Sequence, residues 1–269
     1  MPEGPETVRA KHALWELLFN RDHRWPVLIA VDNYGSVHTQ KFRIEKLIPA
    51  LGKVLNGIHT KGKHYFFMFE GGPVLHAHHG MSGYWSTGEV GNLSNVHLRM
   101  VFRRGDGVIV PVWWYNERFG EINAFTAEEA QKKLNSIAPA LIGDHTLTPQ
   151  MWLDKWKTFK PNTKLRVLLM SQDRLCSGIG NYLIAEIFYA MGLHPDVEIG
   201  RFGDSSQPES YDNILKVYSG CRKIMQEFAE GVRPKVIYKA GFSPRGNQVV
   251  KQQLGGRTFW WCPAEQQFC

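Results

Sequence analysis

The hydrophobic pattern changes its period once, near residue 125, and that change constrains the fold of this chain more than any other feature. From Val27 to about Phe125, apolar residues come in short runs at 27–31, 65–69, 96–102 and 108–114. Breaks such as Glu70-Gly71-Gly72-Pro73 and Arg104-Gly105-Asp106-Gly107 separate several of them, as hairpin or sandwich connections do. From Thr126 to about Glu230 the spacing turns helical and predicts helices over 127–134, 149–156, 164–170, 181–191 and 211–228. Ahead of the strands, Val8, Leu14, Trp15 and Leu18 predict one early helix ending near Asn20-Arg21-Asp22. The tail from about Lys235 is basic and glycine-spaced and predicts a β-hairpin. The expected fold class is α+β, with a helix plus β-sandwich over 1–125, a helical domain over 126–234 and a hairpin over 235–269.

A chain of 269 residues with 43% hydrophobic content can bury a substantial core, so disorder is not expected. Its formal charge of +7, from 32 Lys+Arg against 25 Asp+Glu, suits a polyanionic partner. Cys176, Cys221, Cys262 and Cys269 form no paired spacing, as expected of thiols kept reduced. No stretch approaches ~18 consecutive apolar residues, and the opening Met-Pro-Glu-Gly-Pro-Glu is acidic where a signal peptide is basic. These features lead us to expect a soluble intracellular protein of cytoplasm, nucleoid or nucleus, with no membrane partner.

The chemistry begins at the terminus. Removal of Met1 leaves Pro2 with a free secondary amine. An α-amine titrates near ~8, against ~10.4 for lysine, so a usable fraction is neutral at physiological pH. Such an amine attacks an aldehyde-like sugar carbon to give an iminium ion, a form of covalent catalysis. Glu3 and Glu6 are close in sequence and suit proton transfer. They equally suit the first turn of a helix, where acids meet the positive end of the dipole.

Four segments occur together in one order. They are Met1-Pro2-Glu3-Gly4-Pro5-Glu6, Lys61-Gly62-Lys63-His64-Tyr65-Phe66, His78-His79-Gly80-Met81-Ser82-Gly83, and the stretch from Ser177 to Ile187 containing Gly178-Ile179-Gly180-Asn181. In these the chain resembles the formamidopyrimidine-DNA glycosylase and endonuclease VIII family. The resemblance implies a bifunctional DNA glycosylase and abasic-site lyase of base excision repair, binding damaged DNA as a monomer without a cofactor. Pro2, Glu3 and Lys63 are then the catalytic residues, with Lys53 a substitute for Lys63. His78 and Asn181 lie near phosphates, Asn181 capping a helix of the helix–two-turn–helix element. Met81, Arg118 and Phe119 fill the gap left by a flipped nucleotide, and Arg257 grips a phosphate. Phe119 as a core residue is the alternative.

The departures from the family pattern are as informative. In Asn116-Glu117-Arg118-Phe119-Gly120, Glu117 stands where the family's first arginine is usual, which leaves the opposite-base contact open. The family commonly ends in a four-cysteine zinc hairpin, but here Pro244, Asn247 and Glu265 occupy three of the ligand positions and only Cys262 remains. One cysteine does not make a tetrahedral site, so the expectation is a zincless finger with no metal. Only about residues 231–235 separate the last helix from Val236, and the absence of a long loop there favours oxidised pyrimidines.

Overall fold

The structure is a computed structural model that describes residues 2–19, 25–34, 43–88, 93–117, 119–204 and 207–267. The expected helix end at residues 20–22, Arg118 and Cys269 lie outside these residues. Two compact units divide the chain: Met1–Pro2 with Glu6–Ser136, and Glu3–Pro5 with Ile137–Cys269.

In the first unit, helix α1 (Gly4–Leu18) contributes Leu14 and Leu18 to a core shared with two antiparallel sheets. The strands are β1 (Val27–Asn33), β2 (Leu55–Lys61), β3 (His64–Phe69), β4 (Val74–His78), β5 (Tyr84–Ser86), β6 (Val96–Arg103), β7 (Ile109–Tyr115) and β8 (Glu121–Phe125). One sheet runs β1-β6-β7-β5 and the other β2-β3-β4-β8. Phe67 and Leu75 from one sheet and Leu98, Phe102 and Trp114 from the other are fully buried in this sandwich core. Each such side chain stabilises the fold by about 1.5–3 kcal/mol through apolar burial.

Strand β7 alternates buried and half-exposed residues as a one-sided sheet requires, but four of the five residues of β4 are buried. The reason is helix α2 (Ala127–Ser136), which covers the outer faces of β4 and β8. Lys61 Nζ donates to the carbonyl of Leu134 at 2.9 Å, and Lys133 stands 3.9 Å from Glu121. The first unit therefore runs through Ser136, past the boundary at 125 that the change of period suggests.

The second unit contains α3 (Pro149–Trp156), α4 (Leu165–Met170), α5 (Asn181–Ala190) and α6 (Tyr211–Glu230), then the hairpin β9 (Val250–Leu254) and β10 (Arg257–Trp261). Trp152, Leu168, Leu183, Phe188, Val217 and Met225 centre its core. Every residue of α5 from Tyr182 to Phe188 is buried. The hairpin joins the same core through Phe259, whose ring centroid is 5.7 Å from that of Phe188. No helix among the described residues is long and apolar enough to cross a membrane.

Candidate active site

Glu3 is fully buried and belongs to the second unit, although the expected division puts it with the sandwich. The physical reason is a set of backbone donors. Its carboxylate accepts from the amides of Gly180 at 2.8 Å, Tyr182 at 3.2 Å and Leu183 at 3.3 Å, the first turn of α5. The turn before that helix is fixed by Gln172, which donates to the Ile179 carbonyl and accepts from the Gly178 amide, and by Ser177 Oγ donating to the Ala138 carbonyl at 2.6 Å. A carboxylate so placed satisfies orphan helix donors and meets the positive end of the helix dipole. It also stands one residue along the chain from the Pro2 amine.

This arrangement corrects the reading of Asn181. Gly180, extended at φ −134° and ψ −157°, is the residue that precedes the helix, and no side chain of its own caps it. Glu3 accepts from the amides at this helix start in place of a side-chain cap from Asn181. Asn181 instead donates from Nδ2 to the carbonyl of Thr258 at 3.1 Å, so it ties α5 to the strand that Arg257 begins. Arg257 is exposed beside the two-residue loop Gly255-Gly256.

Lys63 lies in the two-residue turn between β2 and β3, whose flanking residues Lys61 and His64 pair directly. Gly62 has φ +60°, the left-handed value that a two-residue hairpin turn of this kind needs at its first position. Lys61 is committed to the end of α2, which separates its role from that of Lys63. Lys53 is exposed and sits at the opposite end of β2. Beside Lys63 on the outer face of the sheet is a row of imidazoles. His64 Nδ1 and His76 Nε2 are 2.9 Å apart, and the His64 and His78 rings stack at 4.7 Å. Burial, followed by the charge of Lys63, lowers the His78 pKa to about 4. Burial first and neighbouring positive charge next lower His76 to about 3. Burial thus favours the neutral imidazoles, and the lysine charges that bear on them are those of Lys63 and Lys133.

The turn that carries Met81 and the loop that carries Phe119 are tied together by Asn116. Its Nδ2 donates to the carbonyl of His79, and its Oδ1 accepts from the Gly120 amide at 3.0 Å, so one side chain links the Met81 turn to the β7–β8 loop. A Cβ on Gly83 would lie 2.5 Å from Asn116 Nδ2, which is why the turn approaches so closely only with glycine there. Met81 is 48% exposed and Phe119 75% exposed, so Phe119 is not a core residue. Arg118, also assigned to this gap, lies outside the described residues.

One organising residue has no role in the sequence reading. Glu186 is the sole charge in the apolar helix α5 and is fully buried. It accepts from the amides of Val236, Ile237 and Tyr238 at 2.9–3.1 Å and so clamps the segment that follows α6. A lone carboxylate in an otherwise apolar decamer is the signal that marks it. Buried charges are retained where they have several hydrogen-bond donors.

In the terminal hairpin, Glu265 is also a hydrogen-bond hub. It accepts from Ser243 Oγ, from Asn247 Nδ2 at 2.8 Å, from Tyr189 OH at 2.7 Å and from Cys262 Sγ at 3.5 Å. Hydrogen bonds from Ser243 and then Asn247 hold its pKa down at about 2. Burial, then the bond to Glu265, pushes the Cys262 thiol up. A protonated thiol, an amide and one carboxylate bonded to one another do not fit a tetrahedral zinc ion, and Pro244 supplies no ligand. Glu265→Gln places an amide donor among these donors. We expect the backbone amides of β9 and β10 to exchange with solvent at least about tenfold faster in that variant. Unchanged exchange rules out the hub as what holds the hairpin.

Comparison with known proteins agrees with this geometry. Residues 1–113 match the family model described as the formamidopyrimidine-DNA glycosylase N-terminal domain. Endonuclease 8 of Klebsiella pneumoniae is 27% identical over 279 residues, covering 99% of this chain and 100% of that protein. Endonuclease 8 of Salmonella paratyphi A is 26% identical, covering 98% of each. Among solved structures, MutM bound to DNA containing carbocyclic 8-oxo-G superposes with TM-score 0.76 at 20% identity, over 99% of this chain and 100% of that one. Lactococcus lactis formamidopyrimidine-DNA glycosylase, bound non-covalently to DNA with an abasic site, gives 0.76 at 19%, over 98% and 99%. The fold is the one that formamidopyrimidine-DNA glycosylases adopt, and the sequence is similar to theirs and to that of endonuclease 8. More particularly, the chain is similar along its whole length to endonuclease 8 proteins, and its first 113 residues match the formamidopyrimidine-DNA glycosylase N-terminal domain.

Proposed function

We propose that this protein, acting as a monomer, removes oxidised pyrimidines from DNA and then cuts the strand, using the Pro2 amine as nucleophile. The observation that carries the reading is the buried Glu3 carboxylate, fixed by three amides next in sequence to Pro2. Pro2 nitrogen attacks C1′ of the flipped nucleotide, the C1′–base bond breaks, and the proton that the nitrogen sheds on attack passes by way of the Glu3 carboxylate to the leaving base or the ring oxygen. Ring opening leaves an iminium ion conjugated to the sugar. Loss of a C2′ proton expels the 3′ phosphate by β-elimination, and a second elimination expels the 5′ phosphate. Hydrolysis of the iminium returns the amine. Lys63 and Arg257 hold phosphates beside the lesion, with His78 alongside Lys63 and Asn181 acting through the Arg257 strand. Met81, Arg118 and Phe119 support the vacated stack.

The preference for oxidised pyrimidines is supported by the connection after α6. It is short, and Glu186 binds the amides of residues 236–238 directly after it, which leaves no long loop to fold over a purine.

Borohydride trapping tests the amine. The purified protein, mixed with an abasic-site oligonucleotide and reductant, should form a covalent complex. Protein with a blocked Pro2 nitrogen should form none. No complex with the unblocked protein, or equal complex with the blocked one, overturns the mechanism.

A further inference from the structure

We propose that Glu117 reads the base left opposite the flipped nucleotide and favours guanine there. This rests on the glycosylase reading and extends it to the partner strand.

The residue stands on a rigid mount. The loop from β7 to β8 is closed at its base by Asn116, whose amide donates to the Asn95 carbonyl at 2.9 Å and whose own carbonyl is 2.7 Å from His97 Nε2. Asn116 Oδ1 then receives the Gly120 amide, so Glu117 and Phe119 stand between a fixed pair of anchors. Phe119 holds φ +57°, a left-handed backbone that a bulky side chain rarely adopts, and it displays an exposed phenyl ring. Such a ring has a use only when something covers it, and an unstacked base pair offers flat apolar faces for that.

Glu117 is exposed, and its carboxylate is oriented by a relay. Asn95 Nδ2 donates to Tyr115 OH at 3.0 Å, and Tyr115 OH donates to Glu117 Oε1 at 2.9 Å. Tyr115 itself rests against Tyr84, with ring centroids 4.6 Å apart. One lone pair of Oε1 is thereby used, and the carboxylate keeps further acceptor positions on both oxygens. It offers no donor.

An acceptor-only group among the stack-filling residues sorts the four bases by their Watson–Crick edges. Guanine presents two adjacent donors, N1–H and N2–H, which match a carboxylate in bidentate fashion. Cytosine and adenine present one amino donor next to a bare ring nitrogen that repels the carboxylate. Thymine presents one N–H between two carbonyl oxygens. A negative charge near DNA phosphates is unfavourable without such a donor pair. Guanine opposite the gap means that the flipped base is derived from cytosine, so the substrate class narrows to oxidised cytosines.

The test uses the full-length protein and duplexes that carry an uncleavable tetrahydrofuran abasic analogue opposite each of the four bases, with matched natural abasic duplexes for cleavage. Binding opposite guanine should be about tenfold or more tighter than opposite cytosine or thymine. Glu117→Gln should reduce that preference to within about threefold, because its amide supplies one acceptor and one repelling donor. Glu117→Arg should move the preference to cytosine. Equal binding to all four duplexes, or an unchanged guanine preference in Glu117→Gln, overturns the proposal. Absence of cleavage on every natural duplex with the guanine preference intact overturns the lyase reading and leaves this one standing.

Discussion

Glu3→Gln is expected to slow release of a damaged base by about a hundredfold or more, the usual contribution of a positioned general acid or base. Strand cutting at an abasic site that already lacks its base should survive in part, since Pro2 keeps its amine. The two substrates therefore separate proton delivery to the base from amine chemistry. The variant is also expected to lose about 1–3 kcal/mol of stability, because the glutamine amide presents a donor to backbone donors and leaves at least one buried N–H unpaired. The three amides of Gly180, Tyr182 and Leu183 make that cost specific to the start of α5. Single-turnover rates on lesion-containing and abasic duplexes, with denaturant melts of both proteins, check both parts. Base release at the native rate removes Glu3 from the reaction.

Glu3 also shows where the sequence is readable and where it is not. An acid ahead of a helix reads as a first-turn residue of α1, which is a local statement. Its donors come from residues 180–183, and nothing local announces them. The same separation explains Asn181: the glycine-rich turn and the helix start are legible, but the capping acceptor arrives from Glu3. The large apolar runs of β3, β6 and β7 are legible because their residues face a core. Strand β4, Val74-Leu75-His76-Ala77-His78, is harder to see, since its outward residues are imidazoles and their burial depends on α2. Helix α2 itself is plain in the sequence, but its attachment to the sandwich is not, because it rests on Lys61 and Lys133 reaching a carbonyl and Glu121. The Arg118 position is not described by the structure, and the Glu117 departure is visible in the sequence while the Tyr115 relay that orients it is not.

Lowering the pH below about 6.5 is expected to unfold the sandwich steeply, and the histidines of β3 and β4 are the cause. His76 and His79 are each lowered to about 3 and His78 to about 4, in every case by burial first, and His64 is well below its ordinary value for the same reason. The groups that face the His64, His76 and His78 row are Lys63 from the turn, Lys133 from α2 and Glu121 from β8. Of these, only Glu121 favours protonation. His76 lies between the rings of Phe66 and Phe125, and His79 accepts from Trp114 Nε1 at 3.1 Å in the opposite, core-facing layer. The folded protein therefore keeps these imidazoles neutral while the unfolded chain protonates them near 6.5. The stability they confer is fully present above about pH 6.5 and is lost as pH falls toward 4 and 3. Each such group contributes a slope of about 1.4 kcal/mol per pH unit, so four acting together approach ~5 kcal/mol per unit. A domain holds only about 5–15 kcal/mol in total, so even half that slope removes about 5 kcal/mol by about pH 4.5, the whole stability of a domain at the low end of that range. Urea melts between pH 7.5 and 4.5 should show this fall, and His76→Phe, which fits between two phenyl rings, should flatten it by about one group's share. Stability that stays level from pH 7 to 5 means that the imidazoles are reached by water.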